Sequence, residues 1–184
     1  MAHRVLVLLA DGFEEIEAVT VIDVLRRAGA EVVVAGLAAE RVRGAHGIEV
    51  RADTVLDQVE SAKIDMLVLP GGQPGARNLE ADARVLDLVR ELTARERTVA
   101  AICAAPSVLA AAGVLEGRRV TSHPSVRARL ASATVERDQS VVRSGSIVTS
   151  QGVGTALEFA LELAAECSSR DKADELARAM VVRR

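Results

Sequence analysis

The sequence predicts an α/β protein with a mostly parallel sheet and helices on both faces. Three observations carry that reading. Short β-branched runs alternate with longer segments of helical period, the pattern of repeated βαβ units. The strand-like runs are apolar throughout, as in Val5-Leu6-Val7-Leu8-Leu9-Ala10, which fits strands covered on both sides. The length, 184 residues with 49% hydrophobic and 27% charged content, suits one compact domain over 1–184, and no linker, repeat or low-complexity tract divides it.

The first strand covers residues 4–10. It is too short for a signal-peptide core and is followed at once by Asp11, Glu14, Glu15 and Glu17. A helix over 15–28 carries an apolar stripe on Val21, Val24, Leu25 and Ala28 and is closed by Gly29. Further strands fall at 31–36, 66–69, 98–102 and 147–150, and further helices at 82–95, 105–112, 155–166 and 170–180. Residues 41–52 and 135–144 read as antiparallel ribbons around Gly47 and around Arg137-Asp138.

Composition removes several classes of function. With two Phe and neither Tyr nor Trp, the core is aliphatic and base stacking is nearly unavailable. The net charge of −3, with both signs interspersed, leaves no footprint for a nucleic-acid backbone or an anionic membrane. No stretch approaches the roughly 20 apolar residues of a spanning helix. Two widely separated cysteines make no disulfide framework, so a reducing cytoplasm is the expected compartment. The expected partner is a small molecule or a protein.

In open α/β sheets ligands bind outside the carboxyl ends of the strands. Four segments meet there: 11–17, 70–75, 103–106 and 151–155. Cys103 follows an apolar strand and precedes Ala104, Ala105 and Pro106, as a tight strand-turn-helix elbow requires. A helix start behind it would favour thiolate, whereas the bland reading is a small core residue. Glu17 shares the helical face of Val21, Val24 and Ala28, and an acid on a buried stripe keeps its proton near neutrality. Glu14 and Glu15 fit a plainer role in complementing the helix dipole.

The turn Pro70-Gly71-Gly72-Gln73-Pro74-Gly75 lacks the Lys-Ser/Thr of a phosphate loop. It offers backbone N–H groups to a developing oxyanion, with Gly72 and Ala104 as the natural pair and Gly71 beside them. Of the three histidines only His123 follows a strand-like run, where it serves either as an acid or base beside Cys103 or as a turn residue before Pro124. Thr155 reads as a helix cap and Cys167 as core. No cysteine or histidine pair has metal-ligand spacing, and no metal is expected.

Several of these motifs together resemble the ThiJ/PfpI superfamily, in the branch of the parkinsonism-associated protein deglycase and its bacterial relatives. They are Ala10-Asp11-Gly12-Phe13-Glu14-Glu15-Ile16-Glu17, the run from Val21 to Gly29, Leu69-Pro70-Gly71-Gly72, Ala101-Ile102-Cys103-Ala104-Ala105-Pro106, Thr121-Ser122-His123-Pro124 and Thr149-Ser150-Gln151-Gly152. The resemblance runs almost end to end. It implies a flavodoxin-like three-layer sandwich and a homodimer with the first helix at the seam. It also implies that Cys103 is the nucleophile, Glu17 the protonated acid at its sulfur, His123 the nearby acid/base, and Gly72 with Ala104 the oxyanion donors. Asp23 and Arg27 match positions near the site and the seam.

The implied activity needs no cofactor and converts methylglyoxal or glyoxal to a hydroxy acid, alongside deglycation. The alternative the resemblance leaves open is a stress sensor or chaperone that works through oxidation of Cys103. Peptidases of the superfamily carry a histidine directly after the nucleophile; here that position is Ala104. The His-x-Glu pair of glutamine amidotransferases is absent.

Overall fold

The computed structural model describes residues 2–182. In chain order its elements begin with β1 (Arg4–Leu9), α1 (Glu15–Arg27), β2 (Glu31–Gly36), β3 (Arg41–Arg43), β4 (Glu49–Arg51), β5 (Thr54–Val55) and β6 (Met66–Leu69). Next come α2 (Gly75–Ala81), α3 (Ala83–Ala94), β7 (Thr98–Ile102), α4 (Pro106–Ala111), β8 (Arg119–Val120) and β9 (Thr134–Val135). The chain finishes with β10 (Val141–Ser144), β11 (Ile147–Ser150), α5 (Ala156–Cys167) and α6 (Arg170–Ala179). Seven strands form the main sheet in the order β10-β11-β7-β6-β1-β2-β5. All neighbours run parallel except the β10–β11 pair.

Pleating lets one strand serve two cores. In β1, Val5, Val7 and Leu9 face the layer of α1, α5 and α6, while Leu6 and Leu8 face the layer of α2, α3 and α4. All five are fully buried, and each such side chain contributes about 1.5–3 kcal/mol of transfer free energy. This is why the run reads as continuously apolar. The mixed, mostly parallel sheet flanked by helices on both sides is the flavodoxin-like arrangement.

The chain leaves β1 for α1 on one face and leaves β6 for α2 and α3 on the other. That divergence opens a crevice at the carboxyl ends of β1 and β6, next to the end of β7. Asp82 caps α3 by accepting the Arg84 N–H at 2.9 Å, and Gly29 closes α1 at φ +87°.

The structure corrects two expectations. Residues 135–144 do not form a ribbon: Val135 lies in β9 and pairs parallel with β8, and Val141–Ser144 pairs with Ile147–Ser150 across Gly145. The loop 136–140 between them is held by side chains instead, with Gln151 Nε2 donating to the Arg137 and Gln139 carbonyls at 2.8 Å each. Thr155 stands at the start of α5 without capping it, because its Oγ1 turns back to Ser150 Oγ at 2.7 Å and the Gly152 N–H at 3.1 Å. Directly after the turn at 70–75 the structure adds α2, over residues where no element is expected from the sequence.

Candidate active site

β7 delivers Cys103 into the crevice in a left-handed backbone conformation, φ +64°. For a residue with a Cβ that conformation costs of order 1–2 kcal/mol, so the surroundings must hold it. The Cys103 N–H donates to the Ser150 carbonyl at 3.0 Å, and the Cys103 carbonyl accepts the His123 N–H at 2.9 Å. Both neighbouring segments thus fix the elbow, and the half-buried sulfur meets the N–H groups of Gly72 and Ala104.

Glu17 lies wholly buried on the inner face of α1. Its Oε2 accepts the Gly71 N–H at 2.8 Å. Oε1 is buried with no hydrogen-bond partner of ordinary geometry, and the side chain facing the carboxyl is the Cys103 thiol. Burial pushes Glu17 up to about 7, against the pull of Gly71 and the thiol.

The expectation of a low-pKa thiol is corrected. Burial comes first and pushes Cys103 up to about 12, the Glu17 charge adds to it, and the Gly72 and Ala104 N–H groups do not outweigh them. The six-residue α4 behind the elbow offers little dipole to help. The carboxyl therefore gives up its proton before the thiol does.

The glycines are where side chains do not fit. A Cβ on Gly71 would lie 2.6 Å from the Cys103 Cβ and 2.8 Å from Glu17 Oε2. Gly72, at φ +89°, abuts the backbone of Gly12 and Glu14. The Gly71 N–H is already committed to Glu17, so of the three donors expected to serve an oxyanion, Gly72 and Ala104 remain, and both face sulfur. Sequence reasoning named Gly152 only within a motif; its Cα side faces the same small space as Cys103 Sγ and His123 Cδ2.

His123 opens the 3-10 turn Pro124–Arg129. Its Nδ1 accepts the Ser125 N–H at 3.3 Å and meets Ser125 Oγ at 2.8 Å. That acceptor role puts the proton of the neutral ring on Nε2, next to the Cδ2 that faces the space over Gly152. Ser125 has no signal in the sequence beyond its place two residues after the histidine.

Asp23 and Arg27 pair with each other at 2.7 Å on the exposed face of α1 rather than reaching Cys103. That face also shows Ile16 and Val19, at helical spacing. Cys167, half-buried at the end of α5, packs against the core. Among the described residues one group brings metal-ligating atoms within 4.8 Å of one another: Glu14, Glu15 and His46. Glu15 there is already bonded, accepting the His46 N–H at 2.7 Å and the Ile48 N–H at 3.3 Å, with His46 Nδ1 at 2.9 Å. It is a latch between α1 and the β3–β4 turn, not the simple dipole complement the sequence led us to expect.

Comparison with known proteins gives a consistent picture. The model of the DJ-1/PfpI family matches residues 3–166. Protein dj-1beta of Drosophila melanogaster is 43% identical over 184 residues, covering 99% of this chain and 98% of that protein. Its crystal structure superposes with a TM-score of 0.96 at 42% identity over the whole of both chains. A deglycase of Pyrococcus abyssi is 36% identical over 152 residues, 82% of this chain and 91% of that one. A structure of oxidized Toxoplasma gondii DJ-1 matches with a TM-score of 0.91 at 38% identity, covering 98% of each chain. No helix among the described residues is long and apolar enough to cross a membrane.

Proposed function

The chain belongs to the DJ-1/PfpI family, and on that premise we propose that it acts as a single domain to convert small reactive dicarbonyls, methylglyoxal or glyoxal, to hydroxy acids. The chemistry proposed needs no cofactor and runs on Cys103. One observation carries this reading: a buried carboxyl, Glu17, set against a thiol that its own backbone aims into the crevice. The deglycase relative supports a small carbonyl substrate.

In the first step the thiol proton passes to Glu17 as sulfur adds to the aldehyde carbon, giving a hemithioacetal. The Gly72 and Ala104 N–H groups, already on sulfur, lie beside the new oxygen. His123 and Glu17 then move a proton from C1 to C2 through an enediol, leaving a thioester on sulfur. Water hydrolyses the thioester, lactate leaves from methylglyoxal, and the thiol is regenerated. Lactate appearing from methylglyoxal with wild-type protein but not with Cys103→Ser is the expected result. Equal rates in the two would end this reading.

A second reading rests on the same geometry. Two N–H groups and a protonatable carboxyl around one sulfur can hold the oxygens of a sulfinate as well as an alkoxide, and a relative has been seen oxidized. Intact mass after mild peroxide separates the two. A gain of two oxygens at Cys103 in protein that makes no lactate favours the sensor.

We further propose a homodimer, in the cytoplasm, joined through the exposed stripe of α1. Ile16 (54% exposed), Val19 and, beside them, Ile48 and Val153 form an apolar face next to the crevice. Light scattering should give twice the chain mass for wild type and the single-chain mass for Ile16→Asp. A monomeric wild type rejects the dimer.

A further inference from the structure

A carboxylate outside the site links the segments that carry its reacting groups. Glu80, near the end of α2, accepts Ser107 Oγ at 2.8 Å on Oε2 and the Arg129 guanidinium on Oε1. Ser107 is buried on α4, four residues after Cys103. Arg129 ends the 3-10 turn that begins directly after His123. Burial pushes the Glu80 carboxyl up, but Arg129 and Ser107 outweigh it and hold it below its ordinary value. Those partners favour its charged form.

The turn is attached along its length. At its start the His123 N–H donates to the Cys103 carbonyl. In its middle Val126 packs with Ala76 of α2 and with Ala104, and the Arg127 guanidinium donates to the Arg137 carbonyl at 3.4 Å. At its far end Leu130 is buried in the core of the α2, α3 and α4 layer, and Arg129 pairs with Glu80. Of these, the Glu80 carboxylate is the link that joins the turn to both α2 and the α4 segment behind Cys103. A ring carried on a short 3-10 turn moves with it, since such turns have poorer hydrogen-bond geometry than an α-helix. The Glu80 link therefore helps set where the imidazole lies.

We propose that Glu80 is a positioning residue for His123, holding the imidazole over Cys103 by tying Arg129 to Ser107 on α4. The proposal rests on the reading of His123 as the group that moves a proton in dicarbonyl conversion. Sequence gives no hint of it, because Glu80, Ser107 and Arg129 sit in three segments and none follows a strand.

The test compares Glu80→Ala, Glu80→Gln and Arg129→Met in two measurements on the full chain. One is methylglyoxal turnover; the other is the imidazole Cε1–H resonance of His123 by NMR, with His3 and His46 as internal references. Glu80→Ala and Arg129→Met should lower kcat roughly tenfold to hundredfold, as a displacement of about an ångström does. KM should change by less than about twofold. The His123 resonance alone should shift and broaden, and Glu80→Gln, which keeps an acceptor, should restore most of both.

Arg129 is half exposed, so Arg129→Met keeps the test alive if alanine at 80 disturbs α2. A fall in kcat with the His123 resonance unmoved overturns the proposal, as does a kcat left intact in both Glu80→Ala and Arg129→Met. If the wild type turns over no methylglyoxal, the reaction assigned to the site fails, and the resonance, which needs no turnover, still decides the placement.

Discussion

Glu15 and Glu17 stand two residues apart in the first turn of one helix, both essentially buried, and they behave in opposite ways. Glu15, 4% exposed, is pushed up by burial, yet His46 and the His46 and Ile48 N–H groups outweigh that and leave it below its ordinary value. Glu17, 0% exposed, receives one backbone N–H and a thiol and ends near 7. Both are shielded from water, but Glu17 lies much deeper in the fold and receives fewer donors. The helix turn fixes the difference, because successive residues look in different directions. Glu15 faces the tip of the β3–β4 ribbon, where backbone N–H groups are free, and Glu17 faces a crevice whose N–H groups mostly serve sulfur.

The strongest way to break this contrast is to remove the two charges in turn. Glu17→Gln should cost roughly a hundredfold or more in dicarbonyl turnover, the usual weight of a placed acid or base. It should also move the pH inflection of Cys103 alkylation by iodoacetamide to less alkaline values, because the carboxylate charge that helps hold the thiol up is gone. Glu15→Gln should leave the inflection where it is. An unshifted inflection in Glu17→Gln would mean that the carboxylate charge does not act on the thiol.

Stability should separate them next. Glu17 has a folded pKa raised from 4.5 to about 7, so its stabilisation is fully present below the unfolded value. It is lost as pH rises from about 4.5 through 7, by about 3 kcal/mol at most. Glu17→Gln, whose amide still accepts the Gly71 N–H, should flatten this dependence and make the variant relatively more stable at pH 8 than at pH 5 in urea titrations. Glu15 has the opposite sign: lowered in the fold, it stabilises above its unfolded value and loses that as pH falls. Glu15→Ala should cost about 1–3 kcal/mol at pH 7 by leaving the turn's N–H groups unpaired. Native-state hydrogen exchange should then quicken at His46 and Ile48.

How much of this could be read from residues alone follows the same line between local and distant partners. The strands at 31–36, 66–69, 98–102 and 147–150 lie where their apolar runs put them. Burial on both faces leaves a mark that no partner needs to be known to see. Glu17 was legible as a buried acid because its stripe-mates are four, seven and eleven residues along. Glu15 was not, since its partners lie 31 and 33 residues away and a first-turn glutamate has a sufficient local explanation. The ribbon at 135–144 failed for a related reason. Its β-branched residues do form strands, but β9 and β10 choose β8 and β11, and only the Ser144-Gly145-Ser146 turn hinted at the second pairing. The thiol's pKa was misjudged because a helix start is visible in sequence, whereas the depth to which the sulfur is buried is a fact of three dimensions.

The left-handed backbone at Cys103 means that position 103 suits a residue other than the one it holds. Glycine would occupy φ +64° without strain, so Cys103→Gly should fold at least as well as the wild type, by up to about 1 kcal/mol, while being chemically inert. Stability screening would pick out that substitution and function would reject it. Of the three residues other than glycine that stand at positive φ among those described, Glu96, Cys103 and Val181, Cys103 alone sits at a strand end against a buried carboxyl.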